Sequence, residues 1–416
     1  MKKFFLIVIF ALVFRLVLSF IVWHPDLNNH SDWGIRFFEY RASRFYSPET
    51  NVWSFTWPNQ PPGSIYMFAG VRKLFEFVFN VFWLINVKIP AFPSIIVSYF
   101  ETNLYPALLK LPAILSDFGI AYLIYKMCGK KWASVVWLLN PLVWYNSAVW
   151  GQYDAVINFL ALLSFYLLTK KKLILGALFL ALSLFTKASL LIFAPIWIIY
   201  SLTQKYKTSE FVKALTITLI VIVLLTLPFS NGNPIIWLYE LYQKKVFTQQ
   251  LHVITANAFN LWAGVAGIHE RPDTLPFLGL TYQLWGYILF ALVYIPLLFR
   301  VAKNDNVKTL VWMLALAAFA SFTLLTNMHE RYLYPLFPYL TILLGLGLVK
   351  HWYYWLITII SLLGMYNFWF TPKIDTIINF LSFGDRLTPR VLGFVLTIMF
   401  FYLVSLGLVS KPRKIT

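Results

Sequence analysis

The chain has 416 residues, of which 60% are hydrophobic and only 12% charged, and it carries a formal charge of +18. A soluble domain is about a quarter charged, whereas many apolar runs here approach the roughly 20 residues that a helix needs to cross a bilayer. An ordinary soluble protein is excluded, and the expected class is an all-α polytopic membrane protein forming one integral domain, 1–416. The apolar runs do not alternate as barrel strands do. The single cysteine, Cys128, rules out an internal disulfide or a cysteine metal cluster. No phosphate-binding loop and no G-x-G-x-x-G occurs, so no nucleotide-binding module is expected.

Hydropathy predicts spans at 4–23, 107–126, 132–149, 155–169, 173–186, 188–202, 211–229, 280–299, 309–326, 332–349, 353–370 and 390–409. The first run is too long for a signal peptide and no small-x-small cleavage site follows it, so it is read as span 1. A non-spanning region, 24–106, comes next. Within it, segment 64–86 carries Arg72, Lys73, Glu76 and Asn80 at helical spacing on one face, which predicts a helix lying in the membrane interface. A second long loop is expected at 230–279.

With twelve spans, 18 of the 34 Lys and Arg fall in one set of connections, from Lys2 and Lys3 to Lys411, Arg413 and Lys414, against two acids, Glu210 and Asp305. The positive-inside rule makes that face cytoplasmic and places both termini there. The positive charge thus reports topology, and no nucleic-acid partner is expected. Fourteen of the sixteen acids fall on the opposite, non-cytoplasmic side or at its edge, so any chemistry is expected there.

The densest polar stretch is 24–63, with Asp26, Asp32, Glu39 and Glu49 among Arg and Trp residues. A carboxylate at a membrane surface can take a proton from an acceptor hydroxyl, which makes Asp32 the candidate base. The alternative is a solvated acid at the start of a helix. Trp57-Pro58-Asn59-Gln60-Pro61-Pro62-Gly63 reads as a rigid turn before the interfacial helix. In Trp150-Gly151-Gln152-Tyr153-Asp154, Gln152 and Asp154 are candidates for sugar hydroxyls, against an aromatic belt at headgroup level. Lys187 either snorkels or holds a phosphate. His329-Glu330-Arg331 offers a guanidinium that matches phosphate oxygens, against a simple ion pair through Glu330. Arg15 and Asp117 lie inside spans at similar depth and are expected to pair, because charges in a bilayer are costly alone.

Together these pieces resemble the polytopic GT-C glycosyltransferases that use a sugar carried on a polyprenyl phosphate. They are most similar to the dolichyl-phosphate-glucose glucosyltransferases of N-glycan assembly and to prokaryotic mannosyltransferases related to the GPI-anchor enzymes. Asp32-Trp33-Gly34-Ile35-Arg36 resembles the family's Asp-aromatic-x-x-Arg, and Pro61-Pro62 its loop-ending Pro-Pro. Trp150 to Asp154 is similar to its His-Phe-Gln-Tyr-Asn, Thr186-Lys187 with Ala194-Pro195 to its Lys turn, and His329-Glu330-Arg331 to its His-Glu-Lys. The resemblance implies a GT-C-like bundle of about twelve helices, with Asp32 as catalytic base. Lys187, His329 and Arg331 are implied at the donor phosphate, and Arg36, Glu39, Gln152 and Asp154 at sugar or acceptor. Trp150-Gly151 in place of His-Phe, and Asp154 in place of Asn, leave the sugar unassigned.

The implied reaction moves a hexose, mannose or glucose, from a polyprenyl- or dolichyl-phosphate carrier to a hydroxyl of a glycan, lipid-linked or protein acceptor. No cofactor is required; a divalent metal held by Asp32 and a second loop acid is conceivable but not indicated. Two rivals stay open: a ligase or polymerase using a lipid-linked glycan, and a secondary transporter or flippase. The polar groups gather at one face with no internal repeat, unlike a transporter's midplane site. Short loops and the lack of targeting tails point to the cytoplasmic membrane of a prokaryote ahead of the ER membrane.

Overall fold

The computed structural model describes residues 2–47, 58–247 and 252–409. Glu49, Trp57, Lys411, Arg413 and Lys414 lie outside the described residues, as does part of the expected loop 230–279. The rest is mostly helix, the conformation that satisfies every backbone polar group internally when no water is near. In chain order the first helices are α1 (Lys2–Ser19), α2 (Asp26–Arg44), α3 (Pro62–Lys88), α4 (Ser94–Leu109), α5 (Leu111–Cys128) and α6 (Lys131–Leu139). There follow α7 (Pro141–Trp144), α8 (Asp154–Thr169), α9 (Leu173–Thr186), α10 (Ala194–Thr203), α11 (Thr208–Thr226) and α12 (Pro234–Leu241). The last are α13 (Leu261–Ala266), α14 (Tyr282–Lys303), α15 (Val307–Leu324), α16 (Leu336–Gly345), α17 (His351–Trp369) and α18 (Asp375–Val409), which breaks at Phe383–Arg386.

Among the described residues, five helical stretches are long and apolar enough to cross a membrane, by length and composition: Ser94–Cys128, Thr208–Thr226, Tyr282–Lys303, Val307–Leu324 and Asp375–Gly407. Asp154–Thr169, Leu173–Thr186, Ala188–Thr203 and Leu336–Gly345 are apolar but shorter. Three expected spans are interrupted for identifiable reasons. Span 132–149 breaks at Asn140-Pro141, where proline has no N–H to continue the ladder, and resumes as a π-helical turn over Tyr145–Trp150. Span 188–202 opens with a 3-10 turn, Ala188–Phe193, before α10 starts at Ala194-Pro195. Span 332–349 is regular helix only over Leu336–Gly345, after a turn that ends at Pro335.

The chain forms two compact units. The first comprises Met1–Leu123, Val143–Leu190 and Lys207–Gln249. Here α8 and α9 form a hairpin across the Lys170-Lys171-Lys172 turn, tied by Ser164 Oγ donating to the Gly176 carbonyl (2.6 Å) and Ser183 Oγ to that of Ile157 (2.8 Å). Small hydroxyl residues of this kind hold apolar helices together where the hydrophobic effect cannot. Helix α11 packs on α9 yet keeps most of its surface outward, as a lipid-facing helix does.

Helices α2, α3 and α4 pack mutually, and α3 also meets α9. On α3, Glu76 pairs with both Arg72 (3.1 Å) and Lys73 (2.7 Å), so two cations of the polar stripe share one carboxylate. Proline at its first position starts α3 where a missing N–H costs nothing. The next residue, Gly63, lies so close to α9 that a Cβ would stand 2.7 Å from the Phe185 carbonyl oxygen and 2.9 Å from the Thr186 Cα. Backbone cannot swing aside as a side chain can. Gly63→Ala is therefore expected to cost about 1–3 kcal/mol, read as a lower melting temperature in detergent; an unchanged melting curve would mean that the two helices do not meet this closely.

The second unit comprises Ile124–Leu142, Leu191–Tyr206 and Gln250–Thr416. Its centre is α15, packed against α10, α13, α14, α16 and α18 and buried along almost its whole length. Ala315, Ala317, Ala318 and Ala320 let these neighbours approach. Asn140 donates to Tyr354 Oη (2.8 Å) and Thr358 Oγ1 (3.2 Å), a polar clasp inside this core.

Candidate functional site in the first unit

The chain leaves α1 and turns at His24-Pro25 into α2. The His24 backbone N–H donates to the Trp150 carbonyl (3.1 Å), and its ring stacks on the Trp150 indole with centroids 4.4 Å apart. Asp26, in the first turn of α2, accepts from Gln152 Nε2 (2.6 Å) and Trp150 Nε1 (3.4 Å). The segment Trp150–Asp154 thus folds against the start of α2. It can do so because the π-helical turn ends at Gly151 with φ 91, a conformation that glycine adopts freely. A Cβ there would meet Leu27 Cδ1 at 2.9 Å. Single π turns of this kind often stand at functional sites.

Lys110 lies beneath this corner, fully buried. Its ammonium donates to the carbonyls of Ser19 (3.1 Å), Val22 and Ala148 (2.9 Å), joining the end of α1 to the π-helical turn. Sequence reasoning passed over it, although a lone cation a few residues inside an apolar run is the same signal that singled out Arg15. Arg15 Nε itself lies 3.4 Å from Asp117 Oδ2, both fully buried, and Ser147 Oγ donates to the same carboxylate oxygen at 2.6 Å.

Asp154 opens α8 and Lys187 follows the end of α9, so the α8–α9 hairpin brings them side by side. Lys187 Nζ stands 2.7 Å from Asp154 Oδ1, with both side chains under a tenth exposed. The ammonium also lies over the Tyr153 ring, 5.2 Å from its centroid. Tyr153 meets His30 of α2 edge-on at 5.3 Å, and His30 stacks on Phe68 of α3 at 4.4 Å. His30 was not singled out in the sequence; its ring packs between Tyr153 and Phe68. Lys187, expected at a phosphate, is thus already engaged by a carboxylate.

Asp32 lies on another face of α2. Leu27, His30, Trp33 and Gly34 are buried, while Asp32, Arg36 and Tyr40 follow one another four residues apart on a part-exposed stripe. Arg36 Nε donates to Asp32 Oδ1 at 2.8 Å, and its Nη1 reaches Tyr40 Oη (2.9 Å) and Glu39 (3.4 Å). The Asp32 side chain keeps 21% of its surface exposed. Partial burial raises its carboxyl above the ordinary value of 3.8, against the opposing pull of Arg36 and with a further push from Glu39. A part-exposed carboxylate with a raised pKa is suited to accepting a proton. Removing the guanidinium removes the pull that favours the ionised form. If Asp32 is the base, Arg36→Gln should raise its pKa further and move the acid limb of the pH–rate profile to higher pH; a limb at the wild-type position would separate Arg36 from the titrating group.

The structure therefore gathers Asp32, Arg36 and Glu39 on one stripe, Gln152 with Asp26, Asp154 with Lys187, and Arg15 with Asp117, all in the first unit. His329 and Arg331 belong to the second, in a turn where Arg331 Nη1 lies 2.6 Å from Glu330 Oε1 and His329 Nδ1 lies 3.8 Å from Glu330 Oε2. There the turn is held by Asp273, which accepts from Thr326 Oγ1 (3.0 Å) and Asn327 Nδ2 (3.1 Å). Among the described residues no group of three or more His, Cys, Asp or Glu is placed to hold a metal ion. Compared with known proteins, the chain matches no family model, and no curated protein matches it in sequence.

Proposed function

We propose that this protein is an integral-membrane glycosyltransferase of the GT-C kind that moves a hexose from a polyprenyl-phosphate carrier to an acceptor hydroxyl. The observation that carries this reading is Asp32, a part-exposed carboxylate with a raised pKa, on the helix that follows the apolar first helix and bordered by Arg36. Its support is the motif order along the chain, of which the Asp32, Pro61-Pro62, Gln152 and Lys187 segments all fall in one compact unit.

In this reading Asp32 takes the proton from the acceptor hydroxyl as that oxygen forms its bond to the anomeric carbon. The bond from that carbon to the phosphate oxygen breaks, the lipid phosphate departs with the electron pair, and the anomeric configuration inverts. One base suffices, unlike the carboxylate pair of glycosidases. Lys187 is proposed to balance the growing charge of the phosphate, the preorganised electrostatic contribution that such sites rely on. It would then share its ammonium between phosphate and Asp154. The non-cytoplasmic side and a prokaryotic cytoplasmic membrane complete the proposal.

The buried pairs Arg15–Asp117 and Asp154–Lys187 favour a second reading, a secondary transporter, because ionisable groups inside helical membrane proteins often mark transport paths. Proteoliposomes separate the two. Supplied with radiolabelled mannose or glucose on polyprenyl phosphate, and with lipid and protein acceptors, a transferase forms labelled product. Label that crosses the bilayer without forming product would instead establish the transporter.

A further inference from the structure

In the second unit, α10 and α14 run side by side, and the Tyr294 hydroxyl of α14 donates to the Ile192 carbonyl just before α10. Towards their C-terminal ends lies a groove of about 540 Å³ lined by Ile199, Leu202, Thr203, Ile295, Leu298, Phe299 and Ala302. That volume is within the range of small-molecule sites. Several walls turn outward: Leu202 is 61% exposed, Ile295 50% and Phe299 63%. Helix α14 is one of the stretches long and apolar enough to cross a membrane, with little of its surface covered by the protein. An apolar groove on such a helix faces lipid chains, not water.

The open end of the groove is positive. Lys205 lies two residues past the end of α10, Arg300 and Lys303 fall in the last turn of α14, and Lys308 stands at the start of α15, with Asp305 the one acid in the segments 199–206 and 299–310. Lys205, Lys303 and Lys308 are exposed, as is Asp305. Gln204 Nε2 donates to the Asp305 carbonyl at 3.5 Å, which keeps the two basic segments together at the mouth. An apolar slot that ends in clustered cations fits a ligand with an apolar chain beneath an anionic phosphate headgroup. Basic pockets between membrane helices bind such headgroups, and long Lys and Arg side chains reach the headgroup level while their stems stay in the apolar layer.

We propose that the groove between α10 and α14 is a binding site for an anionic phospholipid, its acyl chain along Ile199, Leu202, Ile295 and Phe299 and its phosphate at Lys205, Arg300 and Lys303. Lipid binding here is independent of glycosyl transfer. Each cation near the headgroup contributes roughly fivefold in affinity, so the preference for an anionic over a zwitterionic lipid should be substantial.

The test is a native mass-spectrometric titration of the full chain with phosphatidylglycerol and with phosphatidylcholine. Two variants are compared with the wild type: Lys205→Gln/Arg300→Gln/Lys303→Gln, which strips the mouth, and Ala302→Trp, which fills the groove. Melting curves show that each is folded. The expected result is a preference for phosphatidylglycerol of about tenfold or more, its loss in the triple variant, and weakened binding of both lipids in Ala302→Trp. Equal affinity of the wild type for the two lipids would overturn the proposal. So would a preference that survives the triple substitution, or unchanged binding by Ala302→Trp. Because the second variant leaves every charge in place, misfolding of the first cannot shelter the idea.

Discussion

Lys187→Met should destabilise the protein by about 3–5 kcal/mol, because breaking a buried ion pair takes the opposite charge away from a carboxylate that stays buried. Asp154 is the charge left behind: its carboxylate is under a tenth exposed and its Oδ1 receives the Lys187 ammonium at 2.7 Å. Asn146 Nδ2 also lies 3.5 Å from Oδ2, but a neutral amide does not supply the positive charge of the ammonium. The pair was costly to bury in the first place, so removing both charges should cost less than removing one. Lys187→Met/Asp154→Leu is therefore expected to recover a large part of the melting temperature that Lys187→Met loses. The comparison is a double-mutant cycle in thermal unfolding, which isolates the coupling between the two side chains. Additive losses in the cycle would mean that the two groups do not depend on each other.

Asp32→Asn should lower the rate of hexose transfer by about 10²–10⁴-fold, the span that a positioned general base supplies. Asparagine keeps the size of the side chain, and its amide oxygen still accepts from Arg36 Nε, so the 2.8 Å contact and the stripe with Glu39 and Tyr40 can persist. What is lost is the capacity to take up a proton. Surface substitutions away from special features usually change stability by less than about 0.5 kcal/mol, and Asp32 is part-exposed, so melting should be close to wild type. Asp26→Asn serves as the contrast. Asp26 receives Gln152 Nε2 at 2.6 Å and Trp150 Nε1 at 3.4 Å, so its loss should be felt first in the packing of the Trp150–Asp154 segment.

Hydropathy alone makes the helical membrane class legible, because runs such as 211–229 and 309–326 have no alternative way to satisfy their backbone in lipid. Two lone charges at similar depth in apolar runs likewise point to each other, and Arg15 and Asp117 meet. The breaks are less legible. Asn140-Pro141 is a visible proline signal, but the π-helical turn that follows depends on Gly151, on Leu27 beneath it and on Lys110, which come from three different segments. Lys187 reads locally as a lone cation after a helix. Only the α8–α9 hairpin, closed by Ser164 and Ser183, shows that Asp154, 33 positions away, already holds it. Ion pairs that depend on helix docking leave no local pattern, whereas Asp32 and Arg36, four apart on one helix, do.

The most direct measurement is hexose transfer in proteoliposomes from polyprenyl-phosphate-mannose and polyprenyl-phosphate-glucose, with wild type and Asp32→Asn assayed side by side at matched melting temperature. Labelled product from the wild type with one of the two donors, and at least a hundredfold less from Asp32→Asn, is the predicted result, in keeping with the loss of a general base. Equal product from both proteins would remove Asp32 from the chemistry, and no product from the wild type with either donor would contradict glycosyl transfer itself.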